Sequence, residues 1–266
     1  VGAKLMTPKK SKTTFGDVLL AVDGMSLKSL DPFGTSLKNI TLNLRAGEVM
    51  GIAGVAGNGQ DELMLALSGE ALSDADGITM EGAAIGQSGP TDRRLRGLLS
   101  APEERLGHAA APDMSLIENT LLSGFHRQKL GRRGFVNKAG AEAFAQKIVD
   151  EFDVRTPSVR NVAKSLSGGN LQKFVVGREV LQDPKVLVVN QPTWGVDAAA
   201  AAAIRQSLLE LASGGAGVIV ISQDLDELME ISDTFAVLSE GAMSTPRPAK
   251  GVTVEEIGLM MGGTKV

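Results

Sequence analysis

Two stretches of this chain are apolar at every position: residues 186–189 read Val-Leu-Val-Val and residues 218–221 read Val-Ile-Val-Ile. A strand wetted on one side alternates apolar with polar. A strand that is β-branched throughout must be covered on both faces, as in a parallel sheet sandwiched by helices. Helix-forming segments fall between such runs, at residues 60–68, 198–212 and 225–231, and further short strands are expected at 18–22, 49–53, 97–101 and, as the last strand, 235–238. Residues 37–44 alternate instead, with Ile40, Leu42 and Leu44 on one face of a half-buried strand. Turns are expected at 31–34 (Asp-Pro-Phe-Gly) and 45–48. The expected class is α/β with a mainly parallel sheet.

Composition narrows the chemistry. The 266 residues are 43% hydrophobic and 22% charged, average globular usage, and allow one large domain or one domain with an insertion. No apolar run reaches the roughly 18 residues of a membrane helix. A net charge of −4 gives no basic surface for nucleic acid, which is not expected as a partner. With no cysteine and two histidines, His108 and His126, thiol catalysis and Cys- or His-rich metal sites are excluded, and no metal site is assigned. Residues 1–16, Lys-rich and opening on Val1, are expected to be a linker, with Val1 reflecting either a piece of a longer polypeptide or processing. Residues 17–109 are expected to form the first part of the core. Residues 110–165, with helices at 115–122 and 138–152 and a solvated basic loop at 126–133, form an inserted helical subdomain, and residues 166–266 complete the core. The alanine run 198–203 needs no role beyond helix propensity. Met6, Met25 and Met50 are expected as core fillers.

Between the strand at 49–53 and the helix at 60–68 lies a glycine cluster: Gly54, Val55, Ala56, Gly57, Asn58, Gly59, Gln60, Asp61. Such a loop turns backbone N–H groups inward, and the helix adds the positive end of its dipole, a geometry suited to polyphosphate. The dinucleotide pattern G-x-G-x-x-G fails, because Glu62 stands at the third glycine counted from Gly57 and Gly59. The pattern G-x-x-x-x-G-K-[ST] fits in spacing, with Gln60 in place of lysine and Asp61 in place of Ser or Thr. Three more segments fall at strand ends or helix starts, where α/β sheets bind ligands. They are Leu166, Ser167, Gly168, Gly169 and Asn170 before a helix beginning near Leu171, the strand end at 190–197 (Asn-Gln-Pro-Thr-Trp-Gly-Val-Asp), and the strand end at 222–227.

In this order the motifs resemble the ATP-binding-cassette (ABC) ATPase family over residues 18–263. Residues 166–170 look like its signature, Asn190-Gln191-Pro192-Thr193 like Walker B, and Asp197 like the D-loop aspartate. Gln223 sits where the family has its switch histidine, and Glu103, after Pro102, where it has the Q-loop glutamine. Residues 51–60, 102–105 (Pro-Glu-Glu-Arg) and 224–228 resemble, more closely, the second half of the double ATPases of bacterial simple-sugar and nucleoside importers. The resemblance implies a P-loop NTPase core with an antiparallel β subdomain near the N-terminus and an inserted α-helical subdomain.

Every charge-bearing catalytic position departs from the family pattern. Gln60 removes the lysine charge, and Asp61 sets a carboxylate beside an anion. Asn190 removes the carboxylate that supports the metal, and Gln191 replaces the glutamate that polarises water with an amide that takes no proton at neutral pH. Gln223 and Glu103 replace histidine and glutamine. One lost transition-state donor costs roughly 10²–10³ in rate, so no catalytic residue of this chain's own loop is intact and its hydrolysis is expected to be negligible. ATP or ADP should bind weakly, with little Mg²⁺ dependence. A decaying gene would not empty one edge and spare the other, yet Ser167, Gly168, Gly169 and Asp197 are kept.

The family pairs such domains head to tail, each signature completing the ATP site of its partner. The resemblance therefore implies two partners, a first nucleotide-binding domain and an integral-membrane permease. It also implies a peripheral position on the cytoplasmic face of the bacterial inner membrane. The rivals are a soluble ABC protein acting on ribosomes or DNA, which should carry longer basic arms than residues 9–12 or 132–133, and an active stand-alone ATPase. Three residues stay open: Phe33, an adenine stacker or a turn aromatic over the core; Trp194, an interface anchor or a packed loop residue; and Arg105, a partner contact or a solvated charge.

Overall fold

The structure is a computed structural model that describes residues 14–132 and 134–261. The first elements are β1 (Val18–Leu27), β2 (Leu37–Arg45), β3 (Val49–Ala53), α1 (Gln60–Ser68), β4 (Ile78–Met80), β5 (Ala83–Ala84), α2 (Pro90–Arg96) and β6 (Leu98–Ala101). They are followed by α3 (Leu116–Gly124), β7 (Gly131–Arg132), β8 (Phe135–Val136), α4 (Lys138–Glu151), α5 (Gly168–Val180), β9 (Val186–Asn190) and α6 (Ala198–Ser213). The chain then runs through β10 (Gly217–Ser222), α7 (Leu225–Ile231), β11 (Thr234–Ser239), β12 (Ala242–Met243), β13 (Arg247–Pro248) and α8 (Val254–Met261).

The described residues form an 11-stranded sheet in the order β5-β4-β1-β2-β12-β11-β3-β10-β9-β6, with β13 pairing β11. From β11 to β6 every neighbour is parallel, whereas β1 pairs antiparallel with both β2 and β4. The register places Val218 opposite both Val49 and Leu187, and Ile219 opposite both Met50 and Val188. Because side chains alternate across a strand, the parallel strands feed two cores. Val49, Leu187, Val189, Val218, Val220, Phe235 and Val237 pack with residues of α3, α4, α5, α6 and α8. Met50, Ile52, Val186, Val188, Ile219 and Ile221 pack with α1, β1, β2 and β4. The run at 218–221 is apolar throughout because each face meets one of these layers.

The segment from 110 to 165 carries the helices α3 and α4 and the strands β7 and β8. Ser115 opens α3 in a capping box with Glu118, and Asn137 caps α4 by accepting from the Gly140 N–H. The basic loop expected at 126–133 ends in β7, which pairs with β8 as a hairpin, and Arg133 lies outside the described residues. Two other expectations need correction. The helix expected near Leu171 begins at Gly168. Residues 235–238 are not the last strand, since β12 and β13 follow. The linker expected at 1–16 lies outside the described residues except for its end, where the Gly16 N–H donates to the Ala46 carbonyl. Met25 and Met50 are core residues, while Met6 lies outside the described residues.

Candidate functional site

The loop leaving β3 is held open by its own polar atoms. Gly59, at φ 109°, takes a left-handed conformation that side chains resist, and from it α1 starts without a side-chain cap. First-turn amide groups of α1 therefore have no intrahelical acceptor. Asn58 stitches the loop, its Nδ2 donating to the Val55 carbonyl and its Oδ1 accepting from the Glu240 N–H. The Thr35 hydroxyl donates to the Gly57 carbonyl at 2.6 Å, and the Glu62 carboxylate accepts from the Thr35 N–H and the Ser29 hydroxyl.

Gln60 turns back into this cradle. Its Nε2 donates to the Val55 carbonyl at 2.7 Å, and its Oε1 accepts from the Asn58 N–H at 3.0 Å. The side chain is 7% exposed and lies so close to Gly54 that a Cβ there would stand 2.6 Å from Nε2. An amide thus takes up one of the N–H groups that such a loop would offer to phosphate.

The rim of the cradle is acidic. Burial pushes the Asp61 carboxyl above its ordinary value, and the neighbouring Glu62 pushes it further, against the opposing pull of His108. Glu103 is raised by burial and then by Asp61. These two carboxylates, with Glu104, Arg105, His108 and Trp194, line a cavity of about 590 Å³. His108 Nε2 meets Glu70 Oε2 at 2.7 Å, a hydrogen bond that raises the imidazole and lowers the Glu70 carboxyl.

Asn190, at the end of β9, is 1% exposed and donates from Nδ2 to Asp61 Oδ1 at 3.3 Å, while its Oδ1 has no hydrogen-bond partner among the described residues. Gln191, 5% exposed and at φ 52°, has its Oε1 3.4 Å from the Gln223 N–H and 3.5 Å from the Ser222 hydroxyl. The folded chain therefore brings Gln60, Asp61, Asn190, Gln191, Gln223 and Glu103 to the ends of β3, β9, β10 and β6.

What gathers there is amide and carboxylate. Hydrolysis of a magnesium-bound nucleotide asks instead for a cation on the phosphates and a carboxylate facing water. Gln60 occupies the cradle, and Asp61 and Glu103 sit on its rim with His108 and Arg105 as their opposing charges, so no step is routed through this loop. The sequence reading passed over one residue, Glu227. Its buried carboxyl is raised by burial and accepts from the Thr193 and Ser222 hydroxyls, both at 2.8 Å, tying the ends of β9 and β10 together. Its legible signal is its place three residues after Asp224, whose side chain caps α7 by accepting from the Glu227 N–H.

The second edge is different. Ser167 caps α5, a 13-residue helix, and both Ser167 and Gly168 are exposed. Asn170 Nδ2 donates to Ser167 Oγ at 2.9 Å, and Asn170 Oδ1 accepts from the Arg155 N–H at 2.8 Å. Leu166 is half-buried and packs on the core below this edge, and Gly169 follows Gly168 in the first turn. A hydroxyl, first-turn amides and the dipole of a long helix face solvent here, an arrangement that can receive an anion from outside the chain. No described hydrogen bond joins this edge to the loop at 54–61. Asp197 caps α6, and the Ala200 N–H holds its carboxyl below the ordinary value. Phe33 is 97% exposed and covers no core, and Trp194 is 63% exposed rather than packed in its loop. Arg105 is half-buried and donates to the Trp194 carbonyl.

Comparison with known proteins agrees with this architecture. The family model described as ABC transporter matches residues 37–194. The chain is 35% identical over 249 residues to a guanosine import ATP-binding protein of Bacillus subtilis, covering 94% of this chain and 49% of that protein. It is 36% identical over 264 residues to a glucose import ATP-binding protein of Haloferax volcanii, covering 97% and 47%. A ribose import ATP-binding protein of Rubrobacter xylanophilus is 34% identical over 257 residues, covering 96% and 50%. The chain thus spans about half the length of the curated relatives it matches. In fold it is similar to a dimeric ATP-binding cassette solved in a post-hydrolysis state with ADP and phosphate, at a TM-score of 0.72 and 18% identity, covering 88% of this chain and all of the other.

Proposed function

The chain belongs to the ABC transporter ATPase family, and on that premise we propose that it is the half of an importer's energy-coupling subunit that works through its signature edge rather than its own phosphate loop. The carrying observation is the contrast between the two edges. Gln60 fills the cradle of the loop, whereas Ser167 and Gly168 stand exposed at the start of α5. Ser167, Gly168, Gly169 and Asn170 complete the ATP site of a first nucleotide-binding domain, with Asp197 beside them. The half-length match to the relatives leaves room for that domain in the same polypeptide. The other partner is an integral-membrane permease, and the cargo is a simple sugar or a nucleoside, the classes named for the relatives. Among the described residues no helix is long and apolar enough to cross a membrane, which suits peripheral attachment at the cytoplasmic face. The stand-alone ATPase rival needs a carboxylate at Gln191, and the nearest buried one, Glu227, is engaged by Thr193 and Ser222.

Steady-state ATP hydrolysis tests the reading. The chain alone is expected at background, and the polypeptide that also carries the first nucleotide-binding domain is expected to turn over. Robust Mg²⁺-dependent turnover by the 266 residues alone would overturn it.

Weak nucleotide binding by the chain's own loop follows from Gln60 as well as from the missing lysine. Seating a phosphate displaces two hydrogen bonds of about 1 kcal/mol each. Gln60→Ala is therefore expected to tighten ATP binding by roughly 30-fold, measured by isothermal titration calorimetry. Unchanged or weaker binding would mean that the amide does not compete with phosphate.

A further inference from the structure

Arg105 stands where three segments meet. Its Nη2 donates at 3.0 Å to the carbonyl of Trp194, 89 residues away in the chain. A Cβ built on Gly168 would lie 2.6 Å from Nη1, and one on Gly195 would lie 3.1 Å from Nη2. The guanidinium thus fills space that two glycines leave open. One of them is the first residue of α5, and the other, at φ 66°, lies in the loop between Gln191 and Asp197.

We propose that Arg105 is a positioning residue for the partner-facing edge. It locks the start of α5 and the Trp194-Gly195 turn into one register, and so sets Ser167 and the first-turn amides of α5 for the terminal phosphate of a nucleotide held on the partner's loop. The inference rests on the reading that residues 166–170 serve a partner site. A planar fork suits the task because one nitrogen can donate to the Trp194 carbonyl while the other fills the space beside Gly168. A lysine ammonium keeps the charge but not that shape. Gly168 follows from the same geometry, since a side chain at this position would push the guanidinium away from Trp194.

The test uses the polypeptide carrying both nucleotide-binding domains, with kcat and KM for ATP and the thermal midpoint measured for each variant. Displacing a reacting group's support by about 1 Å costs on the order of 10²-fold. Arg105→Ala is expected to lower kcat by about that factor, with KM within about threefold of wild type. Arg105→Lys should fall between the two. The thermal midpoint should move by no more than about 2 °C, because a half-buried side chain with a single hydrogen bond contributes little to folding.

A purely structural role would instead lower the midpoint and leave kcat per folded molecule unchanged, and that result overturns the proposal. So does a kcat within about twofold of wild type in a preparation where Ser167→Arg abolishes turnover. If Ser167→Arg itself leaves turnover intact, the partner-site reading is wrong and this inference falls with it. Should Arg105→Ala fail to fold, Arg105→Lys and Arg105→Gln carry the same comparison.

Discussion

Ser167→Arg, made in the polypeptide that carries both nucleotide-binding domains, is expected to reduce ATP hydrolysis by at least roughly 10²–10³-fold. Ser167 is exposed at the mouth of α5 and caps it. On the proposed reading, its hydroxyl and the first-turn amides beside it are the donors that would meet the partner's terminal phosphate. Arginine removes the hydroxyl and puts a long side chain where two surfaces must close. The effect on this chain's own fold should be small, since losing a helix cap costs about 1 kcal/mol. The loss should therefore appear in kcat while the thermal midpoint barely moves. The same substitution in a second copy of the chain, added in trans to intact two-domain protein, should do nothing. Turnover within a few-fold of wild type would mean that Leu166, Ser167, Gly168, Gly169 and Asn170 complete no site.

The second large effect concerns stability. Glu179 has no exposed side-chain surface and meets Arg94 and Arg178, whose own side chains are 23% and 5% exposed. Arg178 also donates to the Asn119 and Ala109 carbonyls, and Arg94 to the Ser123 carbonyl, so one carboxylate binds α2, α3 and α5 together. Removing one partner of a buried charge group leaves the others uncompensated, at a cost of about 3–5 kcal/mol. Glu179→Ala is expected to lose about that much, a midpoint drop of roughly 6–20 °C for a domain of this size, read by circular dichroism on heating.

The pH dependence has a definite sign. Burial raises the Glu179 carboxyl, but Arg94 and Arg178 outweigh it and the net shift is downward from 4.5. A carboxyl lowered in the fold contributes fully above its unfolded value and loses that contribution as pH falls through the folded one. The gap between wild type and Glu179→Gln should be constant at neutral pH and close only in acid. A midpoint for Glu179→Ala within a degree or so of wild type would show that the group carries no net stability.

Much of the architecture could be read from local pattern. The apolar runs at 186–189 and 218–221 became adjacent parallel strands with a core on each face, because a strand without polar positions has no side to give to water. Residues 37–44 alternate and became the antiparallel partner of β1. The short pairs β12, β13 and β7–β8 escaped notice because two residues carry no periodicity. The helix start at Gly168 was placed late because two glycines read as loop, whereas Ser167 and the turn below it fix the helix there.

The site divides in the same way. Residue identity, set against the family resemblance, carried the expectation that Gln60, Asn190, Gln191 and Gln223 bring amides where phosphoryl transfer uses charge, and that Ser167, Gly168 and Gly169 keep the other edge. Identity is a local property and spacing reports it. Only the tertiary structure decided that Gln60 turns inward onto Val55 and Asn58, that Asp61 meets Asn190 across 129 residues of chain, that Glu227 ties two strand ends, and that Arg105 reaches Trp194. These contacts join groups far apart in sequence. Each depends on which face of a strand or loop the packed cores leave open, and no pattern along the chain encodes that choice.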